Sequence, residues 1–128
     1  MKYLSGEEIL VIHSEIIDRT GGSHGIRDAG LLVSIVEKAK MSFGGKELYQ
    51  GVFNKAAAYL ESLARYHIFI DGNKRIGIGA SARFLFLNGL ELTATNKEVE
   101  NFVLEVVDKK FDLETIASWF KKHSRKIQ

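Results

Sequence analysis

Nowhere in its 128 residues does the chain carry a proline. Proline interrupts a helix more sharply than any other residue, because it lacks an N–H and its ring clashes with the carbonyl four residues back. A chain without it can build long unbroken helices, and its apolar spacing says that it does. The breaks must then come from glycines and from side chains that cap helix ends.

Ser5 and Glu8 form an S-x-x-E capping pattern, and Ile9, Ile12 and Ile16 then share one helical face until Gly21-Gly22 stops the helix. "GGSHGIRDAG" is a glycine-rich loop; Asp28 is placed to cap a helix carrying Leu31, Leu32, Ile35, Val36 and Ala39. "KMSFGGKELY" interrupts again and reads equally as a plain loop or as a short extended flap, since Met41 and Phe43 alternate with polar residues before Gly44-Gly45. Val52, Ala56, Tyr59, Leu60 and Leu63 predict a helix to about Tyr66. "RIGIGASARFLFLNG" is apolar almost all round, which marks a buried helix beginning near Asn73 or Lys74 and ended by Asn88-Gly89. "LELTAT" is an extended connection. Asn96 is the expected cap of a helix with Val99, Phe102, Val103 and Val106, and Asp112 of a last one with Ile116, Ala117 and Phe120. The expectation is an all-α fold, a compact bundle of about six helices in one domain over residues 1–128, with at most one small β-hairpin.

Several function classes fall away. Without cysteine there are no disulfides and no thiolate metal sites. A net charge of +2 is too balanced to argue for nucleic acid. The apolar run of the N-terminus is short and broken by Glu7, Glu8 and His13, unlike a signal peptide, and no segment has the apolar length of a membrane span. A cytoplasmic protein is expected.

Polar chemistry concentrates in "HIFIDGNKR", His67 to Arg75, between one helix end and the next helix start. A helix N-terminus offers free N–H groups and a partial positive charge, so it binds anions. Gly72 allows close backbone approach and positive φ. Asn73 either caps the helix or reaches a ligand with its amide. Lys74 and Arg75 put cations in the first turn, where they oppose the helix dipole unless an anion compensates. Phosphate is the anion that fits. Asp71 suits a Mg²⁺ that also takes phosphate oxygens and waters. His67, whose ordinary pKa lies near neutrality, suits a general base. Phe69 is expected to pack inward and fix that histidine. No strand precedes the glycines, so neither "GGSHG" nor Gly72 belongs to a dinucleotide fingerprint or a P-loop.

"HIFIDGNKR" resembles the signature of the Fic/Doc superfamily, H-P-F-x-[DE]-G-N-G-R-x-x-R in its Fic branch. It is closer to the Doc (death-on-curing) branch, where N-K-R replaces N-G-R. "GGSHGIRDAGLL", "FGGKELY", "KAAAYLESLARYH" and "FLFLNGLEL" extend the likeness over most of the chain. The resemblance implies a compact helical toxin of a toxin–antitoxin pair. It implies ATP and Mg²⁺, and transfer of a phosphoryl group to a Ser/Thr hydroxyl of a translation protein such as elongation factor Tu. The alternatives are AMP transfer, as in Fic proteins, or an inactive protein-binding module. By position, His67 is implied as the base, Asp71 as the Mg²⁺ holder, Gly72 and Asn73 as the anion hole, and Lys74 and Arg75 as phosphate-binding and catalytic cations. A cognate antitoxin that folds into a groove near the site is implied as partner. Three departures stand out: Ile68 replaces the family's proline, Lys74 the glycine of AMP-transferring members, and Ile78 the second arginine. The last two favour transfer of the γ-phosphoryl group.

The other polar residues have plainer readings. His13 sits beside the apolar face of its helix, as a boundary histidine with a hydrogen bond would. His24 is either a groove or a surface loop residue, and Arg27 either an ion-pair partner of Asp28 or a site contact. His123 with Lys121, Lys122, Arg125 and Lys126 reads as a solvated basic helix end. Trp119 and Phe120 read as packing.

Overall fold

The computed structural model describes residues 1–128. Six helices carry the fold: α1 (Gly6–Thr20), α2 (Ala29–Lys38), α3 (Gly51–Arg65), α4 (Asn73–Leu87), α5 (Asn96–Asp108) and α6 (Leu113–Lys122). Four short strands accompany them: β1 (Ser42–Phe43), β2 (Lys46–Glu47), β3 (Leu90–Leu92) and β4 (Ser124–Lys126). The all-α expectation holds. No helix is long and apolar enough to cross a membrane.

The caps explain where the helices begin. Ser5 accepts from the Glu8 N–H while the Glu8 carboxylate accepts from the Ser5 N–H, a complete capping box for α1. Asp28 and Asp112 cap α2 and α6 through the N–H groups of Leu31 and Thr115. The start of α5 needs a correction: Thr95, not Asn96, is the N-cap, in a second capping box with Glu98. Both residues favour caps, but only Thr95 has an acidic residue three positions on to answer it.

α3 and α4 form the centre, with α6 packed on α3 and α1 on α4. Gly77 lets the two central helices approach closely, since a methyl group there would lie 3.0 Å from Leu60 Cδ1 and 3.3 Å from Ala64 Cβ. The buried Ser81 hydroxyl bridges them by donating to the Ala56 carbonyl at 2.9 Å. Tyr59, Leu60, Leu63, Ile76, Phe84 and Phe120 are fully buried around this seam. Each apolar side chain buried to that degree contributes about 1.5–3 kcal/mol of transfer free energy. α4 is less enclosed than its composition suggests, since half-exposed Phe86 lies under the Arg83 guanidinium.

"KMSFGGKELY" forms the flap: β1 and β2 pair antiparallel around Gly44-Gly45, both at positive φ. A second sheet, beyond the one hairpin expected, corrects two readings at once. β3 pairs antiparallel with β4 through Leu90↔Lys126, Glu91↔Arg125 and Leu92↔Ser124. "LELTAT" is therefore partly a paired strand, and the basic tail is no simple solvated helix end. The chain turns back after Lys122, and Arg125 Nε reaches Glu91 at 2.7 Å.

The loop between α1 and α2 runs beside the segment that joins α3 to α4. The N–H groups of Arg27 and Asp28 both donate to the Ile68 carbonyl, and that of Ile70 to the Gly25 carbonyl. Two glycine-containing loops thus support each other at one end of the bundle.

Candidate active site

α3 is closed by its C-cap Tyr66, and the next residue, His67, turns the chain with φ +50°. This left-handed conformation costs a non-glycine residue roughly 1–2 kcal/mol. Its effect is to leave the imidazole exposed while Ile68 and Phe69 go directly into the core. The loop is then closed by Asn73. Its side-chain Nδ2 donates to the Phe69 carbonyl at 2.9 Å and its Oδ1 accepts from the Phe69 N–H at 3.0 Å. The Asn73 side chain thus makes no cap hydrogen bond, and Gly72, at φ +76°, is the residue before the helix. A methyl group on Gly72 would also lie 3.0 Å from Ile17 Cδ1.

The result is an open helix start. The N–H groups of Asn73, Lys74 and Arg75 find no acceptor within the chain. No acidic residue occupies the first turn of α4. Lys74 is exposed and makes no ion pair. Three aligned donors and a free ammonium make a place for an anion.

Asp71 stands at the edge of this place. Its Oδ1 accepts from the Gly72 N–H at 2.8 Å and its Oδ2 from the Ser23 N–H at 3.1 Å, while Arg75 approaches Oδ1 at 3.5 Å. The N–H of Ser23, then that of Gly72, then the Arg75 guanidinium hold the carboxyl below the usual carboxylate range. No group of three His, Cys, Asp or Glu side chains could hold a metal ion by itself. One ionised carboxylate beside an anion site does fit Mg²⁺, which commonly takes one or two carboxylates and completes its shell with phosphate oxygens and water.

All six residues singled out in the sequence, His67, Asp71, Gly72, Asn73, Lys74 and Arg75, share the wall of one cavity of about 380 Å³. Lys74 and Arg75 also border a neighbouring cavity of about 370 Å³, whose floor is Ile78, Val99, Val103 and Leu104. Chemically, the arrangement offers a base-capable imidazole, a carboxylate, a free ammonium and three N–H donors facing one space.

Arg75 is less free than its neighbour. Its Nη1 donates to the Thr20 hydroxyl at 2.5 Å and to the Gly21 carbonyl at 2.8 Å. Phe69 packs inward as expected, but it stacks on a different histidine. Its ring lies 3.8 Å from that of His13, at 11°. His13 is buried, not a boundary residue, and its Nε2 lies 2.7 Å from the Asp71 carbonyl oxygen. His13, Thr20 and the Gly21–Ser23 backbone are thus parts of the site that the sequence did not single out.

The remaining polar residues stay outside it. His24 is half-exposed and pairs with Asp18 at 2.8 Å. Arg27 forms no ion pair with Asp28, whose carboxylate caps α2. Trp119 stacks flat on Phe102 at 4.0 Å and His123 on Trp119 at 4.2 Å, an aromatic column between α5 and α6.

Comparison with known proteins shows the family of the chain. The model of the Fic/DOC family matches residues 3–85, which contain the whole site. A protein named Toxin Doc from Mycolicibacterium smegmatis is 37% identical over 119 residues, covering 91% of this chain and 89% of that protein. A protein named Protein kinase doc, from Escherichia phage P1, is 34% identical over 92 residues, 72% of each chain.

Proposed function

We propose that this chain, which belongs to the Fic/DOC family, is a Doc-type toxin that moves the γ-phosphoryl group of ATP to a protein hydroxyl. The acceptor is a Ser or Thr of a translation protein resembling elongation factor Tu, and a cognate antitoxin is the partner that restrains it. The single observation carrying this reading is that a base, a carboxylate, a free cation and an open helix N-terminus face one cavity.

The chemistry follows from what each group can do. The exposed His67 imidazole takes the proton of the acceptor hydroxyl. The oxygen so freed bonds to the γ-phosphorus as the bond to the leaving oxygen breaks, and ADP departs. Negative charge spreads over the phosphoryl oxygens, and catalysis is mostly positioning and charge neutralisation. The N–H groups of Asn73, Lys74 and Arg75 supply that neutralisation from fixed positions, and the Lys74 ammonium adds its charge to theirs. Arg75 adds its charge from a place already held by Thr20 and Gly21. Asp71 would hold Mg²⁺, which would supply positive charge against the phosphate oxygens.

Phosphoryl transfer is favoured over AMP transfer by Lys74, whose ammonium stands unpaired at the cavity wall, and by Ile78, which leaves that helix face without a second arginine. The name of the phage relative supports the same choice. The β1–β2 flap offers unpaired strand edges to which an acceptor segment could add.

The test uses ATP labelled on either the α- or the γ-phosphate, incubated with the chain, Mg²⁺ and a bacterial lysate. Label on an acceptor protein from the γ position alone is expected, and none with Lys74→Ala or His67→Ala. Label from the α position would establish AMP transfer, and no label from either would leave a binding module.

A further inference from the structure

Three residues on one face of α1 meet the site from below. Positions 13, 17 and 20 are spaced by four and three, so their side chains stack along one side of the helix. His13 Nε2 touches the Asp71 carbonyl at 2.7 Å, Ile17 lies under Gly72, and Thr20 receives Arg75. The bonding roles are fixed by the partners. A carbonyl can only accept, so His13 Nε2 carries the proton and donates it. The Thr20 hydroxyl proton goes to the Ile16 carbonyl at 2.7 Å, so only its lone pairs face Arg75. His13 cannot slide, because it is 3% exposed and stacked on Phe69.

We propose that His13 and Thr20 are positioning residues for the transfer reaction: from α1 they fix the Asp71 main chain and the Arg75 guanidinium, and through these the Asp71 carboxylate. Neither touches the space where a phosphate would lie. His13 holds the carbonyl of the residue whose carboxylate must meet the metal-bearing nucleotide. Thr20 and the Gly21 carbonyl hold the guanidinium that stands 3.5 Å from that same carboxylate. The carboxylate is then gripped on both oxygens by the Gly72 and Ser23 N–H groups. Two anchors on one rigid helix set the carboxylate against His67, which hangs from the end of a different helix, α3. Displacements of about 1 Å in such a constellation cost on the order of a hundredfold in rate.

The inference rests on the transfer reading above, and the variants separate its parts. His13→Phe keeps a ring for the Phe69 stack and removes the donor; His13→Gln keeps an N–H at similar reach. Thr20→Val removes the acceptor at an exposed position where folding is not at stake; Thr20→Ser keeps it. Initial rates of transfer from γ-labelled ATP to purified elongation factor Tu are measured for each. The loss expected in kcat for His13→Phe and Thr20→Val is about tenfold or more, with KM for ATP nearly unchanged, and His13→Gln and Thr20→Ser restore most of it. Wild-type kcat in both Phe and Val variants, or no rescue by Gln and Ser, would overturn the proposal. Hydrogen exchange gives a second readout that needs no activity. The Gly72 and Ser23 amides, both bonded to the Asp71 carboxylate, should exchange about tenfold faster in His13→Phe and Thr20→Val. Unchanged exchange at both amides overturns the proposal even if the wild-type chain labels nothing, an outcome that by itself counts only against the transfer reading.

Discussion

Gly22 lies so close to Asp71 that a methyl group on it would stand 2.5 Å from the carboxylate Oδ2. Its φ of +113° is likewise one that side chains rarely adopt. A glycine 49 residues before Asp71 is therefore part of the carboxylate's housing. Gly22→Ala is expected to displace Asp71 while leaving the helices intact. Transfer should fall on the order of a hundredfold, with an unchanged far-ultraviolet circular dichroism spectrum. A wild-type rate in the alanine variant would show that the loop yields and Asp71 does not.

His67 combines strain with exposure. Its left-handed backbone is costly for any residue with a Cβ, and glycine escapes most of that cost. His67→Gly should therefore be about 1 kcal/mol more stable than His67→Ala, a difference of a few degrees in thermal midpoint. Neither variant should transfer phosphoryl groups. Equal melting midpoints would mean that the backbone relaxes once the imidazole is gone.

The Asp71 carboxyl is held below the usual carboxylate range, chiefly by the N–H groups of Ser23 and Gly72. A depressed pKa in the folded chain stabilises it above the unfolded value of about 3.9, and that contribution disappears as pH falls through the lower folded value. Asp71→Asn removes the titration. Its urea midpoint should fall less steeply than that of the wild type below about pH 4. Parallel curves over that range would show that the carboxylate contributes nothing to acid sensitivity.

Lys55 is the one fully buried side chain with a formal charge. Its ammonium donates to the Ala39 carbonyl at 3.1 Å, lies 3.4 Å from Glu47 in β2 and sits 5.3 Å over the Tyr3 ring. Burying such a group costs free energy that its partners only offset, so Lys55→Met should leave the thermal midpoint unchanged or higher. The flap loses its tie to α3 in that variant. The Leu48 amide, which bonds to the Met41 carbonyl, should exchange about tenfold faster. Unchanged exchange would mean that the hairpin holds itself.

Much of the fold was legible because its signals are local. Ser5 with Glu8 announces a capping box from four residues, and Val52, Ala56, Tyr59 and Leu63 display the α3 face within a dozen. The pairing of β3 with β4 was not legible. Leu90 and Lys126 are far apart in the chain, and although Leu90-Glu91-Leu92 alternates, Ser124-Arg125-Lys126 is polar throughout and has no pattern to answer it. In the candidate site, the gathering of polar residues was legible and their support was not. His67, Asp71 and Lys74 stand out by type and spacing, whereas His13 looks like any histidine beside an apolar stripe. Its stack on Phe69 and its bond to Asp71 exist only once α1 lies against the loop.

The sequence by itself determined the helical class, the glycine and cap punctuation, and the gathering of base, acid and cations into nine residues. These depend on neighbours within a turn or two, where backbone geometry alone fixes who can meet whom. Only the tertiary structure decided which of those groups are free and which are held. Lys74 stands unpaired while Arg75, the next residue, is bonded to the end of α1. Such assignments depend on long-range packing between α1 and α4, which brings Thr20 to Arg75 across 55 positions of chain. No local pattern encodes that contact, because the free energy that forms it comes from burying two helix faces together.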